Sequence, residues 1–421
     1  MTGLRDYLIV TAAYWSFMLT DGALRMLVLL YFDALGYPPV SLAFLFLLYE
    51  LCGVVTNFVG GWLATRYGLK VTLVSGLALQ VGAIVLLSFL DAGWSTLVGI
   101  PYVMAAQALS GIAKDLTKMS SKTAVKSLVP EGQASALYKW VAILTGSKNA
   151  IKGVGFFVGA LLLQVVGFRH GLWFMAGLIA FTFVAAMLSL PREIGTPKTK
   201  AAKLSGMFQQ GRNINLLSTA RVFLFGARDI WFVVGIPVYL SSQFGWSFSQ
   251  VGGFMAAWVI GYGGVQMIAP GITRWRSGGR APGGRVSLEA VALLLLCMLA
   301  ILAGYLADFH PGITIIGGLA IFGLLFAVNS SVHSYMILDY ADGDRAAMSV
   351  GFYYMANAIG RLLGTLLSGL LYQVGGLPWC LAGSAAFLAI TALVTLWLPA
   401  RALHDSGEIV SPAGAPAESA D

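Results

Sequence analysis

The chain has 421 residues, 58% of them hydrophobic and only 10% charged, with a mean hydropathy of +0.81. A soluble domain cannot hide so much apolar surface behind so few charges, which excludes a water-soluble enzyme or binding module. The formal net charge of +8 has no basic soluble domain to carry it, so it speaks for membrane topology and gives nucleic-acid binding no support.

Apolar blocks of about 20 residues, the length that crosses a ~30 Å hydrocarbon core, recur along the chain. They predict twelve spans, near 7–32, 40–63, 70–90, 95–116, 136–164, 170–190, 215–240, 249–270, 286–306, 312–335, 346–372 and 378–399. The first run is too long for a signal-peptide core and ends without a small-residue cleavage site, so it is expected as a retained span. Charged residues interrupt several spans. Span 1 carries Asp21 and Arg25, and span 2 carries Glu50. Lys114, Lys118, Lys122 and Lys126 follow at four-residue spacing from the inner end of span 4, a cationic stripe on one helix face. The stripe reads either as a funnel gathering anions or as a snorkelling, topology-fixing series.

Span 5 holds Lys148 and Lys152 one turn apart in "TGSKNAIKGVGFFVG". At ~1.5 Å per residue from Ala136 they lie about 18 and about 24 Å into the membrane. Span 7 carries Arg228 and Asp229 with Arg221 nearer the inner face, and span 11 carries Asn357 and Arg361 one turn apart. Spans 10 and 11 add Asn329, Ser330, Ser331, His333, Ser334, Tyr335, Tyr353 and Tyr354, polar groups that suit either a hydrated pocket or contacts between helices.

Lysine and arginine placement sets the expected orientation. With both termini inside, the inner loops collect Arg66, Lys70, Lys118, Lys122, Lys126, Lys198, Lys200, Lys203, Arg274, Arg276, Arg280 and Arg285, and the outer loops hold Arg169. The expected location is the inner (cytoplasmic) membrane.

The polar stretch 191–213 divides two halves that resemble each other. "NAIKGVGFFVGALLLQVVGF" from Asn149 echoes "NAIGRLLGTLLSGLLYQVGGL" from Asn357, at an offset of 208 residues that becomes 209 at Gln-Val. "TRYG" at Thr65 echoes "TRWR" at Thr273, "LGYPPVSLAF" (35–44) pairs with "FGWSFSQVGG" (244–253), and Asp21 with Asp229. A six-span internal repeat is the mark of two transporter halves related by a pseudo-two-fold axis. The pattern resembles the major facilitator superfamily. That resemblance implies an all-α polytopic membrane protein of twelve helices in two pseudo-symmetric six-helix bundles. Residues 1–190 would form the N-terminal bundle, 191–214 a cytoplasmic linker, 215–400 the C-terminal bundle and 401–421 a disordered cytoplasmic tail. "GGWLATRYGLK" (60–70) resembles the superfamily's gating-loop motif through Gly61, Leu63, Arg66, Gly68 and Lys70. Thr65 replaces the expected Asp, and Leu69 an expected Arg.

An ionised side chain at mid-membrane costs about 2.5–3.5 kcal/mol even on the lenient scale, so these groups must face each other or a wet cavity. Mutual pairing accounts for Asp21 with Arg25, an i,i+4 pair, and for one further arginine through Asp229 or Glu50. The deep cations Arg25, Lys148, Lys152, Arg228 and Arg361 still outnumber the carboxylates Asp21, Glu50 and Asp229. The surplus predicts an anion site. Lysine offers phosphate a point charge and arginine a two-oxygen fork. Lys148, Lys152, Arg361, Arg228, Arg25, Asn357, Arg221 and Lys114 are the candidate substrate ligands; Asp21, Glu50 and Asp229 are the candidate proton-coupling groups.

The blocks at 7–32, 108–126, 140–157 and 221–240 closely resemble the ArsJ-type organoarsenical efflux permeases. That resemblance implies export of 1-arseno-3-phosphoglycerate, made when glyceraldehyde-3-phosphate dehydrogenase accepts arsenate, and hence a functional link to that enzyme and arsenate resistance. An organophosphate/phosphate exchanger of the same fold would share the cations. The cysteines Cys52, Cys297 and Cys380 stand in three spans without CxxC spacing, and the four histidines are scattered. No metal, no cofactor and no enzymatic activity are expected. The expected partners are a small anionic substrate and the lipid bilayer, with the protein acting as a monomer.

Overall fold

Long apolar sequences with no polar alternative partner close their backbone hydrogen bonds within themselves, and helices result. The structure, a computed structural model, describes residues 2–91, 93–128, 134–191, 210–276, 282–341 and 346–401; within them, the side chains of 2–4, 58–68, 119, 122–128, 134–146, 270–271, 274–276 and 346–348 fall outside the description. The linker 192–209, the tail from 402, and the side chains of Gly61, Arg66, Gly68, Lys122 and Lys126 thus lie outside it. Lys70 is described, and its Nζ donates to the carbonyl of Leu190.

The N-terminal half comprises α1 (Thr2–Ala34), α2 (Pro39–Ser88), α3 (Thr96–Leu128) and α4 (Ala134–Ser189). The C-terminal half comprises α5 (Arg212–Phe232), α6 (Gly235–Ser242), α7 (Phe248–Arg276), α8 (Gly284–Leu306), a π-helical turn (Ile313–Gly317), α9 (Gly318–Tyr340) and α10 (Ala346–Thr395). α2 carries two apolar spans, Pro39–Asn57 and Leu69–Ser88. α4 and α10 carry two each, folded back at Gly167 (φ 79°) and at Gly375 and Gly376 (φ 67° at Gly376), left-handed backbone that only glycine adopts freely. α5 and α6 together make one span, and the π turn with α9 another, so the described residues supply twelve.

Within the N-terminal half, α1 crosses α4 so closely that a Cβ on Gly22 would stand 2.5 Å from the Lys152 carbonyl oxygen, and one on Gly159 would stand 2.6 Å from Ala23 Cα. Small residues are what permit such approach between membrane helices. The two halves meet along α4 with α7 and α10 with α2. These contacts repeat the sequence offset of 209: Gly252 packs on Ala160, and Gly369 on Ala43. Two hydrogen bonds at the same end are likewise equivalent. Gln164 Oε1 accepts from Ser249 N at 3.0 Å, and Gln373 Oε1 from Val40 N at 3.2 Å. Each glutamine thus caps the first turn of a helix in the other half. Tyr31 stacks on Phe168 at 4.0 Å beside them.

Candidate functional site

Between the halves lies a cavity of about 260 Å³, a little below the usual size of small-molecule pockets. Helical periodicity builds its walls. α1 presents Tyr14, Met18 and Arg25; α2 presents Glu50, Gly53 and Asn57; α3 presents Lys114, Asp115, Lys118 and Ser121; α4 presents Lys148, Asn149, Lys152 and Phe156. From the other half come Arg221, Phe225, Arg228, Asp229 and Phe232 of α5, Trp258, Tyr262 and Gln266 of α7, Ser334 of α9, and Tyr354, Asn357 and Arg361 of α10. Each set recurs at three- or four-residue intervals, one face of a helix. Phe156, Phe232 and Trp258 form an aromatic group in the lining, with Phe232 6.2 Å from Phe156 and 5.0 Å from Trp258. Behind them the fully buried Trp231 packs edge-on to Trp258 and Phe322, both at 5.5 Å.

All eight candidate substrate ligands border this one cavity. Their pairing differs from expectation. Asp21 does not meet Arg25, although the two share a helix face. Its Oδ2 accepts from Lys152 Nζ at 2.8 Å and its Oδ1 from Tyr49 Oη at 2.5 Å. The close crossing of α1 and α4 places Lys152 there, and Arg25 points instead to Glu50. Glu50 Oε1 accepts from Arg25 Nη1 at 3.1 Å and from Arg361 Nη2 at 2.5 Å, joining the halves. Arg361 Nε stands 3.6 Å from Asp229 Oδ2, and Arg228 Nε donates to Asp229 Oδ1 at 2.6 Å. An alternating chain Arg25–Glu50–Arg361–Asp229–Arg228 therefore crosses the cavity.

Lys114 and Arg221 of the cavity wall have no carboxylate within ion-pairing distance among the described residues. Lys114 lies over the Tyr49 ring at 4.0 Å. Arg221, 5% exposed, is fixed by Nε to Asn357 Oδ1 at 3.1 Å and Nη1 to the Ser330 carbonyl at 3.2 Å, with its plane over Phe225 at 3.9 Å. Such a held guanidinium loses little freedom when it takes an anion. Both residues, read as nearer the inner face, belong to the same cavity wall as the deeper cations.

Asp115 went unnoticed among the lysines around it. It is 1% exposed, accepts from Thr56 Oγ1 at 2.5 Å and Asn57 Nδ2 at 3.3 Å, and pairs with Lys118 at 3.5 Å. Its signal was available: an acid within the hydrophobic end of span 4, one residue from Lys114. Lys118 also donates to Asn57 Oδ1 at 2.8 Å and lies 5.1 Å from the Tyr354 ring across the cavity. With Asp115 the carboxylates become four (Asp21, Glu50, Asp115 and Asp229), and with Lys118 the cations Arg25, Lys114, Lys118, Lys148, Lys152, Arg221, Arg228 and Arg361 become eight. The excess is still positive.

The polar residues of α9 divide. Ser334 borders the cavity, whereas Asn329 and His333 are fully buried and meet Ser287, with His333 Nε2 2.9 Å from Ser287 Oγ. Among the described residues no group of three or more His, Cys, Asp or Glu side chains is placed to hold a metal ion.

A family model described as Major Facilitator Superfamily matches residues 10–287 and 217–417. A solved structure, "Crystal structure of D-xylose-proton symporter", superposes with a TM-score of 0.71 over 93% of this chain and 96% of that one, at 13% identity. A likeness at that identity speaks to fold alone. Among curated proteins no sequence match is found. The family match, the twelve spans in two repeated halves and the charged cavity between them lead to one conclusion: the chain belongs to the major facilitator superfamily, as a multi-pass protein of a family of membrane transporters.

Proposed function

We propose that the protein is a secondary active exporter of a small multi-anionic metabolite, most specifically 1-arseno-3-phosphoglycerate, and that it confers arsenate resistance by alternating access of its two halves. The observation that carries this reading is the cation excess in the cavity, eight against four carboxylates, contributed by both halves. A cargo with a phosphate at one end and an arseno group at the other neutralises that excess and offers each half an oxyanion. The specific cargo rests on the likeness of the blocks at 7–32, 108–126, 140–157 and 221–240 to the ArsJ-type permeases. The protein acts as a monomer in the inner membrane with both termini in the cytoplasm, supplied by glyceraldehyde-3-phosphate dehydrogenase. Asp21, Glu50 and Asp229 are the carboxylates available for proton antiport.

Everted membrane vesicles containing the protein test this. They are supplied with arsenate, NAD, glyceraldehyde 3-phosphate and the dehydrogenase, and arsenic uptake is recorded. Uptake that needs the complete mixture is expected. Arsenic at background in vesicles holding folded protein refutes the organoarsenical cargo. Uptake of a sugar phosphate instead would favour an organophosphate/phosphate exchanger, which the same cations would serve.

A further inference from the structure

We propose that Glu50 is a built-in competitor for the cargo: its carboxylate takes the place between Arg25 and Arg361 that a cargo oxyanion occupies, so Glu50 sets the affinity of the site. This rests on the anionic-cargo reading above and adds a residue that works against binding.

Four observations carry it. Glu50 is 1% exposed, and one of its oxygens, Oε1, serves two guanidinium groups at once, Arg25 of its own half and Arg361 of the other. All three residues border the cavity, so a molecule there can reach both arginines. The arrangement also leaves donors over. Arg25 Nη2 and Arg361 Nε are buried with no hydrogen-bond partner, Asp229 Oδ2 being 3.6 Å from the latter. Finally, Asp21 and Asp229 are each held at 2.8 Å or less by a cation of their own half, Lys152 and Arg228. Of these three carboxylates, Glu50 is the one that accepts from a cation of the other half.

The number of acceptor oxygens favours the exchange. A carboxylate has two acceptor oxygens, whereas a phosphate or arsenate group has three or more in a tetrahedral array. Such a group meets the Nη donors that Glu50 now holds and also the two it leaves unpartnered. When cargo arrives it exchanges an internal tie between the halves for one that runs through itself. A ligand shifts the balance between two arrangements only by binding them unequally, and displacement of Glu50 supplies that inequality.

The test titrates purified protein in detergent with 3-phosphoglycerate, a stable bis-anion, and with inorganic phosphate, following tryptophan fluorescence and the thermal midpoint. The variants are Glu50→Gln, Arg25→Gln and the double variant. Glu50→Gln is expected to bind 3-phosphoglycerate about tenfold tighter, and Arg25→Gln about tenfold more weakly because Glu50 then pairs with Arg361 alone. The charge-balanced double variant should return to within about threefold of the native protein, and its comparison with Arg25→Gln suffices if Glu50→Gln alone does not fold. A double variant as weak as Arg25→Gln, or a folded Glu50→Gln that binds no tighter, overturns the proposal. Binding by Glu50→Gln without detectable binding by the native protein is the extreme of the same effect and supports the competitor role, and arsenic uptake into the vesicles above decides the exporter reading separately. Absence of binding by all four proteins overturns both.

Discussion

Replacing Lys152 by Gln removes the ammonium 2.8 Å from Asp21 Oδ2 and leaves a carboxylate, 1% exposed, with the Tyr49 hydroxyl as its remaining partner. Breaking a buried pair from one side costs about 3–5 kcal/mol, because the charge left behind stays desolvated. The reverse change, Asp21→Asn, is milder. The Lys152 side chain is 16% exposed and borders the cavity, so its ammonium turns to water there, and a cost of about 1–2 kcal/mol is expected. The double variant Asp21→Asn/Lys152→Gln leaves two amides that bond to each other and should recover most of the loss. Thermal midpoints in detergent complete the cycle. Lys152→Gln should melt lowest, Asp21→Asn between, and the double variant well above Lys152→Gln. A Lys152→Gln protein as stable as the native one, or a double variant no better than Lys152→Gln, refutes the reasoning and returns Lys152 to the role of a ligand alone.

Removing both glutamine ties (Gln164→Ala with Gln373→Ala) loses about 0.5–1 kcal/mol each and should favour opening at that end about five- to thirtyfold, read as faster thiol labelling of a cysteine placed nearby. Arg221→Lys keeps the charge but loses the stacked, doubly bonded guanidinium; uptake should fall about tenfold while the thermal midpoint holds, since no carboxylate is left unpaired. Gly22→Val forces α1 from α4, where even a Cβ stands 2.5 Å from the Lys152 carbonyl, and should cost about 1–3 kcal/mol in the thermal midpoint while disturbing the Asp21 pair.

The spans were legible because the membrane demands long apolar helices, and the repeat was legible because both halves keep Asn-Ala-Ile and Gln-Val in register. The charges announced a cavity for the same reason: an ion in lipid has nowhere else to go. Their partners could not be read. Asp21 and Arg25 satisfy the helix-neighbour rule, yet Asp21 takes a lysine 131 positions away, because Gly22 and Gly159 let α4 lie against α1 there. Glycine spacing hinted at a crossing without saying with which helix. Asp115 escaped because four lysines at regular spacing read as a stripe, and the α2 surface that receives it, Thr56 and Asn57, carries no charge to flag it.

The repeat also explains the shape of the site. Asp21 and Asp229 are equivalent, as are Lys152 and Arg361, and in both halves the cation lies against the aspartate, at 2.8 Å in one and 3.6 Å in the other. Three members of the charge chain break the symmetry: Arg25, equivalent to Val233, Glu50, equivalent to Val259, and Arg228, equivalent to Thr20. Arg228 takes Asp229 at 2.6 Å, which loosens Arg361, and Arg361 spends its second nitrogen on Glu50 in the other half. The choice of arginine is thus necessary, since only a fork reaches two carboxylates at once. Arg361→Lys should settle on Asp229 as Lys152 does on Asp21 and abandon Glu50 to Arg25. The contact between halves at the cavity would go with it, lowering the thermal midpoint by about 1–3 kcal/mol of lost charged hydrogen bond and vesicle uptake by about tenfold. Lys152→Arg, whose partner lies within its own half, should keep both properties. Equal damage from the two exchanges, or none from Arg361→Lys, would mean that the second nitrogen of Arg361 does not hold the halves together.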